Sequence, residues 1–222
     1  SEKRTHMARL GAELTLVPSE DGLTTKKLIL DMIAAAKELG RAPNTFLTDQ
    51  LNNSDSITGY YALGEEIWTQ TNGRVDAFVQ SVGTAASTRG VATVLKRHKP
   101  EVRIFVVEPA ESAVLSGGLP GPHKIEGVGI GYTPPLWDAS IVDSVIPIST
   151  ADAKEMTRRL AKEEGLFAGT SSGANVLAAI QVGRQLGPEA HVVTLMADSG
   201  LKYLSTDVFR RGEGVTGPQA NR

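Results

Sequence analysis

The sequence predicts an α/β protein built on a doubly wound, mostly parallel sheet. Apolar runs of strand length alternate with helical patterns of roughly 10–17 residues, which is the order of elements in such sheets. Small polar residues follow four of these runs, at Gln50, 83–87, 169–173 and 198–200. Ligands of doubly wound sheets bind beyond the carboxyl ends of the strands, so we expect these four segments to border one cleft.

The N-terminal part of the chain predicts helices and short strands in alternation. Gly11 and Gly40 each follow a stretch with helical spacing of apolar residues, so they mark helix ends. The first helix begins at Ser1 as its cap, so we expect a further segment to precede it in the natural protein. The predicted elements are a helix at 1–10, a strand at 12–18, a helix at 24–39, a strand at 45–48, a polar linker at 52–56 and a helix at 60–70.

The remainder of the chain predicts the main sheet. Pro147 confines one of its strands to an edge, and Thr150 caps the helix that follows. The stretch 112–133 is rich in Gly and Pro and predicts a long loop, whose length favours a functional role. The predicted strands are 76–82, 103–108, 141–148 and 191–196, and the predicted helices are 91–97, 150–164, 174–186 and 203–210.

Composition excludes several classes of function. The 222 residues carry a net charge of −2, which gives no electrostatic case for nucleic acid or an anionic membrane as a partner. The absence of cysteine excludes disulfides, thiolate nucleophiles and cysteine-bound metals, and it is typical of a reducing cytoplasm. No apolar run approaches about 18 residues, so we predict no membrane span. The histidines lack metal-ligand spacing, so we predict no metal site.

The segment Ser-Val-Gly-Thr-Ala-Ala-Ser-Thr-Arg-Gly (81–90) is the strongest candidate binding site. It joins a predicted buried strand to a predicted helix, and its small residues combine free backbone N–H groups with hydroxyls. Such a loop at a helix N-terminus binds anionic groups, usually phosphate. It lacks both the Walker A pattern and the dinucleotide fingerprint, so we expect neither a nucleoside triphosphate nor NAD. The alternative is a tight turn that needs small residues only for packing.

Six segments in series resemble the cysteine synthase and cystathionine β-synthase family of fold-type II pyridoxal phosphate (PLP) enzymes. They are Asp49-Gln50, the segment 81–90, Val-Glu-Pro (107–109), His-Lys-Ile-Glu-Gly-Val-Gly-Ile-Gly-Tyr (123–132), Gly-Thr-Ser-Ser-Gly-Ala-Asn-Val (169–176) and Asp-Ser-Gly-Leu-Lys-Tyr-Leu-Ser-Thr (198–206). Together they cover nearly the whole chain. The resemblance implies PLP as the cofactor, a tryptophan synthase β-like fold truncated at the N-terminus, a homodimer and a cytoplasmic location.

The resemblance also implies cofactor-binding roles. The family's Gly-Thr-Gly-Gly-Thr loop, which holds the PLP phosphate, is matched here by Gly83, Thr84, Ala85, Ala86 and Ser87. The two alanines replace glycines and would crowd the loop if either position needs a positive φ. Ser171 matches the serine that bonds the pyridine nitrogen and leaves it largely unprotonated, which suits β-elimination. Asp198 is expected near that end of the cofactor. A helix cap is the alternative role for both Ser171 and Asp198.

On the substrate side, Gln50 matches a glutamine that helps bind the substrate carboxylate, although a polar strand end would also account for it. Gly127 and Gly129 match the glycine-rich loop at the mouth of the active site. The family's Schiff-base lysine and its Ser-Gly-Asn-Thr-like substrate loop have no counterpart, because none of the ten lysines has the required context. We therefore predict no catalytic residue in this chain and the absence of roughly the first third of an ordinary member.

The resemblance divides the chain and suggests a reaction. Residues 1–52 would be the remainder of a small mobile domain, 53–210 the large PLP-binding domain and 211–222 a disordered tail. The implied reaction is a β-replacement on an amino-acid substrate that makes L-cysteine from O-acetylserine and sulfide, if the missing segment is supplied. Cystathionine β-synthase and cysteine desulfhydrase activities are close alternatives. An alternative of another class is a non-catalytic binding protein that keeps only the phosphate-binding loop.

Overall fold

A parallel sheet forms the centre of the computed structural model, which describes residues 2–19, 23 and 25–209. In chain order its four strands are β1 (Ala77–Ser81), β2 (Arg103–Pro109), β3 (Ser144–Ile148) and β4 (Val192–Thr194). Their order across the sheet is β3-β2-β1-β4, and each neighbouring pair is parallel. The predicted sheet is therefore confirmed, and Pro147 lies in the edge strand β3, as expected.

The strand order reverses at β1, and this reversal positions the candidate site. From β1 the chain moves outward through β2 to β3, and then returns to add β4 on the other side of β1. In register, Phe78 of β1 lies between Ile104 of β2 and Val193 of β4. Doubly wound proteins bind ligands in the crevice at such a reversal, outside the carboxyl ends of the two strands. Here the loops after β1 and β4 border that crevice.

Helices cover both faces of the sheet. Val91 and Leu95 pack with Phe78 on one face, whereas Ala153 and Ala178 belong to the apolar cluster on the other. None of the described helices is both long enough and apolar enough to span a bilayer. The helices are α1 (Glu2–Arg9), α2 (Lys26–Leu39), α3 (Asp55–Gly59), α4 (Tyr61–Gln70), α5 (Ala86–His98), α6 (Thr150–Glu163) and α7 (Thr170–Leu186), with 3-10 helices at Ala110–Ser112, Ala139–Ile141 and Gly200–Tyr203.

Two predicted strands are absent from the described structure. Residues 12–18 and 45–48 have no regular secondary structure, and no described strand pairs with either of them. A strand needs a hydrogen-bonded neighbour as well as a suitable local pattern. The ladders of β1 to β4 are made only among those four strands, so the two N-terminal segments have no partner in the described chain.

Two helices begin earlier than predicted because the small residues of the preceding loops form their first turns. α5 starts at Ala86 and α7 starts at Thr170. The predicted cap of α6 is also wrong by one residue. Ser149, not Thr150, occupies the cap position, and its hydroxyl accepts a hydrogen bond of 3.1 Å from the N–H of Asp152.

The last predicted helix, 203–210, is wrong. The structure has a 3-10 helix at Gly200–Tyr203 instead, and residues 204–209 form turns and bends. The last residues of the predicted linker at 52–56 belong to α3, which begins at Asp55. The predicted disordered tail and the predicted cap Ser1 lie outside the described residues.

Candidate functional site

The loop after β1 combines unpaired N–H groups with a helix N-terminus. It runs from Val82 to Ala85 and enters the 13-residue helix α5. No described residue accepts a hydrogen bond from the N–H groups of Gly83, Thr84 or Ala85. The first turn of α5 adds N–H groups without intrahelical partners, and the helix dipole places partial positive charge there. This set of donors can hold a phosphate group.

Steric limits explain the small residues of this loop, which we call the phosphate loop (Gly83 to Ser87). A Cβ atom at Gly83 would lie 2.7 Å from the carbonyl oxygen of Gly127, so no side chain fits there. Ala85 has a φ of 71°, in the left-handed region that glycine adopts most readily. Ala86 is the first residue of α5. The expected crowding therefore applies at position 85 and not at position 86.

A glutamine orients the hydroxyl of Ser87. Gln80, in β1, donates from Nε2 to the Ser87 Oγ over 2.6 Å. Since the Ser87 oxygen accepts this bond, its O–H remains available as a donor. Ser87 is half-buried in the first turn of α5. Its hydroxyl can therefore supplement the N–H groups of the phosphate loop.

The glycine-rich loop packs directly against the phosphate loop. The N–H of Gly129 donates to the carbonyl oxygen of Val82 over 3.1 Å. The buried His123 holds the same loop from its other side, because its Nε2 donates to the carbonyl oxygen of Gly129 over 2.8 Å. Its Nδ1 accepts from the N–H of Ile125 over 3.3 Å. These two partners require a neutral imidazole with the proton on Nε2.

Ser171 and Asp198 belong to two segments on the β4 side of the crevice that contact each other through Gly169. Ser171 is buried in the first turn of α7, and its hydroxyl makes no hydrogen bond to a described residue. The N–H of Gly169 donates to the carbonyl oxygen of Asp198 over 3.1 Å, and a side chain at position 169 would collide with Asp198 Oδ1. Asp198 Oδ1 is buried and has no hydrogen-bond partner among the described residues.

Neither residue fulfils its alternative role as a helix cap. Gly169 occupies the cap position of α7, two residues before Ser171. Ser199 caps the 3-10 helix Gly200–Tyr203, and its hydroxyl accepts from the N–H of Leu201 over 3.2 Å. The Ser171 hydroxyl and Asp198 Oδ1 are thus polar groups of the crevice that the local backbone does not use.

A buried tyrosine and an ion pair complete this half of the crevice. Burial, followed by the carboxylate of Asp198, raises the pKa of Tyr203 well above 10, so its hydroxyl stays protonated and donates to Asp198 Oδ2 over 3.0 Å. Lys3 of α1 pairs with Glu126, and its Nζ lies 4.7 Å from the centroid of the Tyr203 ring. The sequence analysis gave no role to Lys3, Glu126 or Tyr203, although Glu126 and Tyr203 lie in two of the segments that carry the family resemblance.

Asn175 holds the two strand ends that border the crevice. Its Oδ1 accepts from the N–H of Ser81, at the end of β1, over 2.7 Å. Its Nδ2 donates to the carbonyl oxygen of Leu195, just after β4, over 2.9 Å. Sequence analysis assigned Asn175 no role. A polar residue between Ala174 and Val176 in an otherwise apolar helical stretch was the signal that could have revealed it.

One cleft brings several of the predicted residues together. Gln50, Gly83, Thr84 and Gly127 line a cavity of about 300 Å³ together with apolar residues of α2. The other predicted residues lie outside its lining; they are Ala85, Ala86, Ser87, Gly129, Ser171 and Asp198. The site therefore has two halves, the phosphate loop on the β1 side and the Ser171–Asp198 pair on the β4 side.

The residues of the two halves fit PLP. The phosphate loop offers free N–H groups, an oriented hydroxyl and a glycine that no other residue can replace. The other half offers the unpaired Ser171 hydroxyl, which can bond to a ring nitrogen. Lys37 is the one lysine that lines the described cleft, and it lies on the exposed part of α2.

The sequence matches the family described as "Pyridoxal-phosphate dependent enzyme" over residues 1–198. The chain belongs to this family. Among curated relatives of this family member, the cysteine synthase of Staphylococcus aureus strain N315 is 40% identical over 210 residues. The alignment covers 94% of this chain and 66% of that relative, so the chain spans just under two thirds of the relative's length.

Solved structures of the same family show the same fold. O-acetyl serine sulfhydrylase isoform 3 from Entamoeba histolytica has a TM-score of 0.84 at 36% identity, over 96% of this chain and 63% of that one. An O-acetylserine dependent cystathionine β-synthase from Helicobacter pylori has a TM-score of 0.87 at 34% identity, over 95% and 67%. A hydrogen sulfide-producing enzyme from Fusobacterium nucleatum has a TM-score of 0.83 at 34% identity, over 95% and 64%. The predicted family, fold class and cofactor class are confirmed.

Proposed function

We propose that the chain is the cofactor-binding part of a β-replacing enzyme that makes L-cysteine from O-acetylserine and sulfide. The phosphate loop at the reversal of strand order is the observation that carries the proposal. The curated relatives named cysteine synthase support the product, and the similarity to an O-acetyl serine sulfhydrylase supports the substrate pair. We also propose an amino-acid substrate, a homodimer and a cytoplasmic location, as the family resemblance implies.

In this proposal, each half of the site binds one end of the cofactor. The N–H groups of Gly83, Thr84 and Ala85, together with the Ser87 hydroxyl, hold the phosphate, whereas the N–H of Ala86 donates to Thr84 Oγ1 over 3.3 Å within the loop. The Ser171 hydroxyl bonds the pyridine nitrogen, and Asp198 lies at the same end. When bound, PLP supplies the electron sink that lets a β-substituent leave an amino acid.

We assign the residues that bind the substrate to the cleft. The side-chain NH₂ of Gln50 can donate to the substrate carboxylate. The loop of Gly127 and Gly129 is assigned to the mouth of the cleft, because Gly127 lines the cavity and His123 holds the carbonyl oxygen of Gly129. The chain has no residue in place of the family's Schiff-base lysine, which would also be the base for the substrate α-proton. We propose that the chain by itself makes no cysteine for this reason.

We also propose the division into domains that the resemblance implies. Neither α1 nor α2 contains a buried residue, whereas the apolar clusters of the core begin at Ile57. This contrast supports residues 1–52 as the remainder of a small domain and 53–210 as the large domain. The comparison with a cystathionine β-synthase and a hydrogen sulfide-producing enzyme keeps those two activities as alternatives.

Substitution of Ser87 tests the phosphate assignment. Ser87→Asp places a carboxylate next to the bound phosphate, and at an effective dielectric constant of about 20 two unit charges 4 Å apart repel by about 4 kcal/mol. We expect the affinity for PLP, measured by equilibrium dialysis of the 222-residue chain, to fall by about 100-fold or more. Ser87→Asn has the same shape without the charge and should lose far less. PLP affinity that is equal in both variants would refute the assignment.

A fusion protein tests the reaction itself. The unmatched third of the Staphylococcus aureus cysteine synthase, joined ahead of Glu2, would supply the lysine in a single polypeptide. We expect the fusion to make cysteine from O-acetylserine and sulfide, and the unfused chain to make none. A fusion that binds PLP and turns over neither substrate would support the non-catalytic alternative. If the unfused chain were active, and lost activity on Lys37→Ala, the proposed inactivity of the chain would be wrong.

A further inference from the structure

Gln80 is a long polar side chain in a strand whose other residues are buried. It belongs to β1, and in register it lies beside the fully buried Val106 of β2. Alternation along the strand places its side chain on the same face of the sheet as Phe78, the face that α5 covers. An amide that leaves water costs free energy unless its polar atoms find hydrogen-bond partners. Glutamine is therefore an unfavourable choice at this position unless it has a function.

The fold satisfies only half of this amide. Gln80 Nε2 donates to Ser87 Oγ over 2.6 Å, whereas Gln80 Oε1 is buried and has no hydrogen-bond partner among the described residues. A buried acceptor without a partner destabilises a fold. A methionine, which has nearly the same length, would fill the same space without that penalty. Stability alone therefore does not account for Gln80, and its bond to Ser87 is the contact that needs a reason.

The strand holds the amide of Gln80 in a fixed place. β1 pairs with β2 along its whole length, and the next residue, Ser81, donates its N–H to Asn175 Oδ1 over 2.7 Å. Ser87 lies in the first turn of α5, where its hydroxyl can rotate and can bond back to a carbonyl of the preceding turn. The bond from Gln80 fixes the position of the Ser87 oxygen from the strand side.

Both hydroxyls of the phosphate loop are left as donors by this arrangement. Ser87 Oγ accepts from Gln80, and Thr84 Oγ1 accepts from the N–H of Ala86 over 3.3 Å. Each hydroxyl therefore has its own O–H free for another acceptor. The unpaired N–H groups of the same loop can also only donate. A loop that presents donors alone is matched to an anionic group that accepts, such as phosphate.

We propose that Gln80 is a positioning residue for the phosphate site. Its amide holds the Ser87 hydroxyl as a donor, so Gln80 raises the affinity for a phosphate group without touching that group. The inference rests on the proposed function, because it takes the phosphate loop as the binding site. It adds that the amide acts only through Ser87, and that it does so while lowering the stability of the ligand-free chain.

A double-mutant cycle on the 222-residue chain tests this coupling. Gln80→Met removes the amide and keeps the length of the side chain, and Ser87→Ala removes the hydroxyl. With PLP as the probe in equilibrium dialysis, we expect Ser87→Ala to lower the affinity by about 10-fold or more, the effect of one hydrogen bond to a charged group. Gln80→Met should lower it by about 3-fold or more, but by no more than Ser87→Ala does. When Ser87→Ala is already present, Gln80→Met should have no further effect.

The stability of the same variants separates a positioning role from a structural one. Gln80→Met removes the buried, unpaired Oε1, so the thermal unfolding midpoint of the ligand-free chain should stay the same or rise. A structural role predicts the reverse, a lower midpoint with an unchanged affinity for PLP. Thr88→Val is the matched control, because Thr88 follows Ser87 in the same turn and its Oγ1 is also buried and unpaired. This control should leave the affinity for PLP unchanged.

The outcomes distinguish this inference from the proposed function. A Ser87→Ala variant that binds PLP as tightly as the parent chain would overturn both, since the hydroxyl would then play no part in binding phosphate. If Ser87→Ala weakens binding and Gln80→Met leaves it unchanged or strengthens it, the inference is wrong and the phosphate assignment stands. Equal losses from Gln80→Met with and without Ser87→Ala, or the same loss from Thr88→Val, would also overturn the inference. Gln80 would then act through the packing of α5 and not through the hydroxyl.

Discussion

Ala85 and Ala86 provide a sharp test of the conformation of the phosphate loop. The two residues are adjacent and almost equally buried, with 3% and 2% of their surface exposed. They differ in backbone conformation, because Ala85 has a φ of 71° whereas Ala86 begins α5. Ala85→Gly and Ala86→Gly therefore remove the same buried methyl group from two different backbone environments.

The two substitutions share two contributions to the free energy of unfolding, and only Ala85→Gly has a third. Each substitution loses the burial of one methyl group, about 0.8 kcal/mol. Each also adds chain entropy to the unfolded state, which costs about 0.5–1 kcal/mol. Only Ala85→Gly relieves a left-handed residue, a gain of about 1–2 kcal/mol. Ala86→Gly should therefore destabilise the chain by about 1.5 kcal/mol, whereas Ala85→Gly should be close to neutral.

Urea unfolding of the two variants and the parent chain, followed by circular dichroism, measures this difference. We expect the free energies of unfolding of the two variants to differ by about 1–2 kcal/mol in favour of Ala85→Gly. The slopes of the unfolding transitions should agree, so that the comparison reflects stability alone. If Ala85→Gly destabilises the chain as much as Ala86→Gly does, position 85 carries no backbone strain and the reasoning is refuted.

Two further predictions concern the ends of the strands. Asn175→Ala leaves the N–H of Ser81 and the carbonyl of Leu195 unpaired, so we expect a loss of about 2–4 kcal/mol in urea unfolding; a loss below about 1 kcal/mol would contradict the bridging role. The backbone N–H of His191, and then Lys99, lower the pKa of Asp76 below its usual 3.8. The stabilisation is fully present above the pKa that Asp76 has in the unfolded chain, and it is lost as the pH falls through its lower pKa in the folded chain. The free energy of unfolding should therefore decline below about pH 4. In Asp76→Asn this part of the decline should be absent.

The sequence predicted the central sheet well because each of its strands carries a strong local pattern and finds a partner nearby. The apolar runs at 76–82 and 103–108 became the paired strands β1 and β2. The small residues at 83–87 were also informative, since the structure shows free N–H groups there and no space for a side chain at Gly83. The roles of Ser171 and Gln50 toward ligands stay predictions, to which the structure adds their positions.

Long-range contacts were beyond the reach of sequence patterns. Asn175 joins Ser81 to Leu195, and Lys3 pairs with Glu126, which is 123 positions away in the sequence. No spacing rule connects residues so far apart, because only the folded topology brings them together. The tautomer of His123 is a similar case, since it follows from two backbone partners whose positions depend on the loop fold.

The two strands that failed to form are the most informative departure from the prediction. The local patterns at 12–18 and 45–48 are of the same kind as the pattern at 103–108, so propensity does not separate them. The difference is that β2 has neighbours on both sides, whereas the N-terminal segments have none in the described chain. A strand-forming pattern therefore gives a strand only where the fold supplies a neighbouring strand to which it can hydrogen-bond.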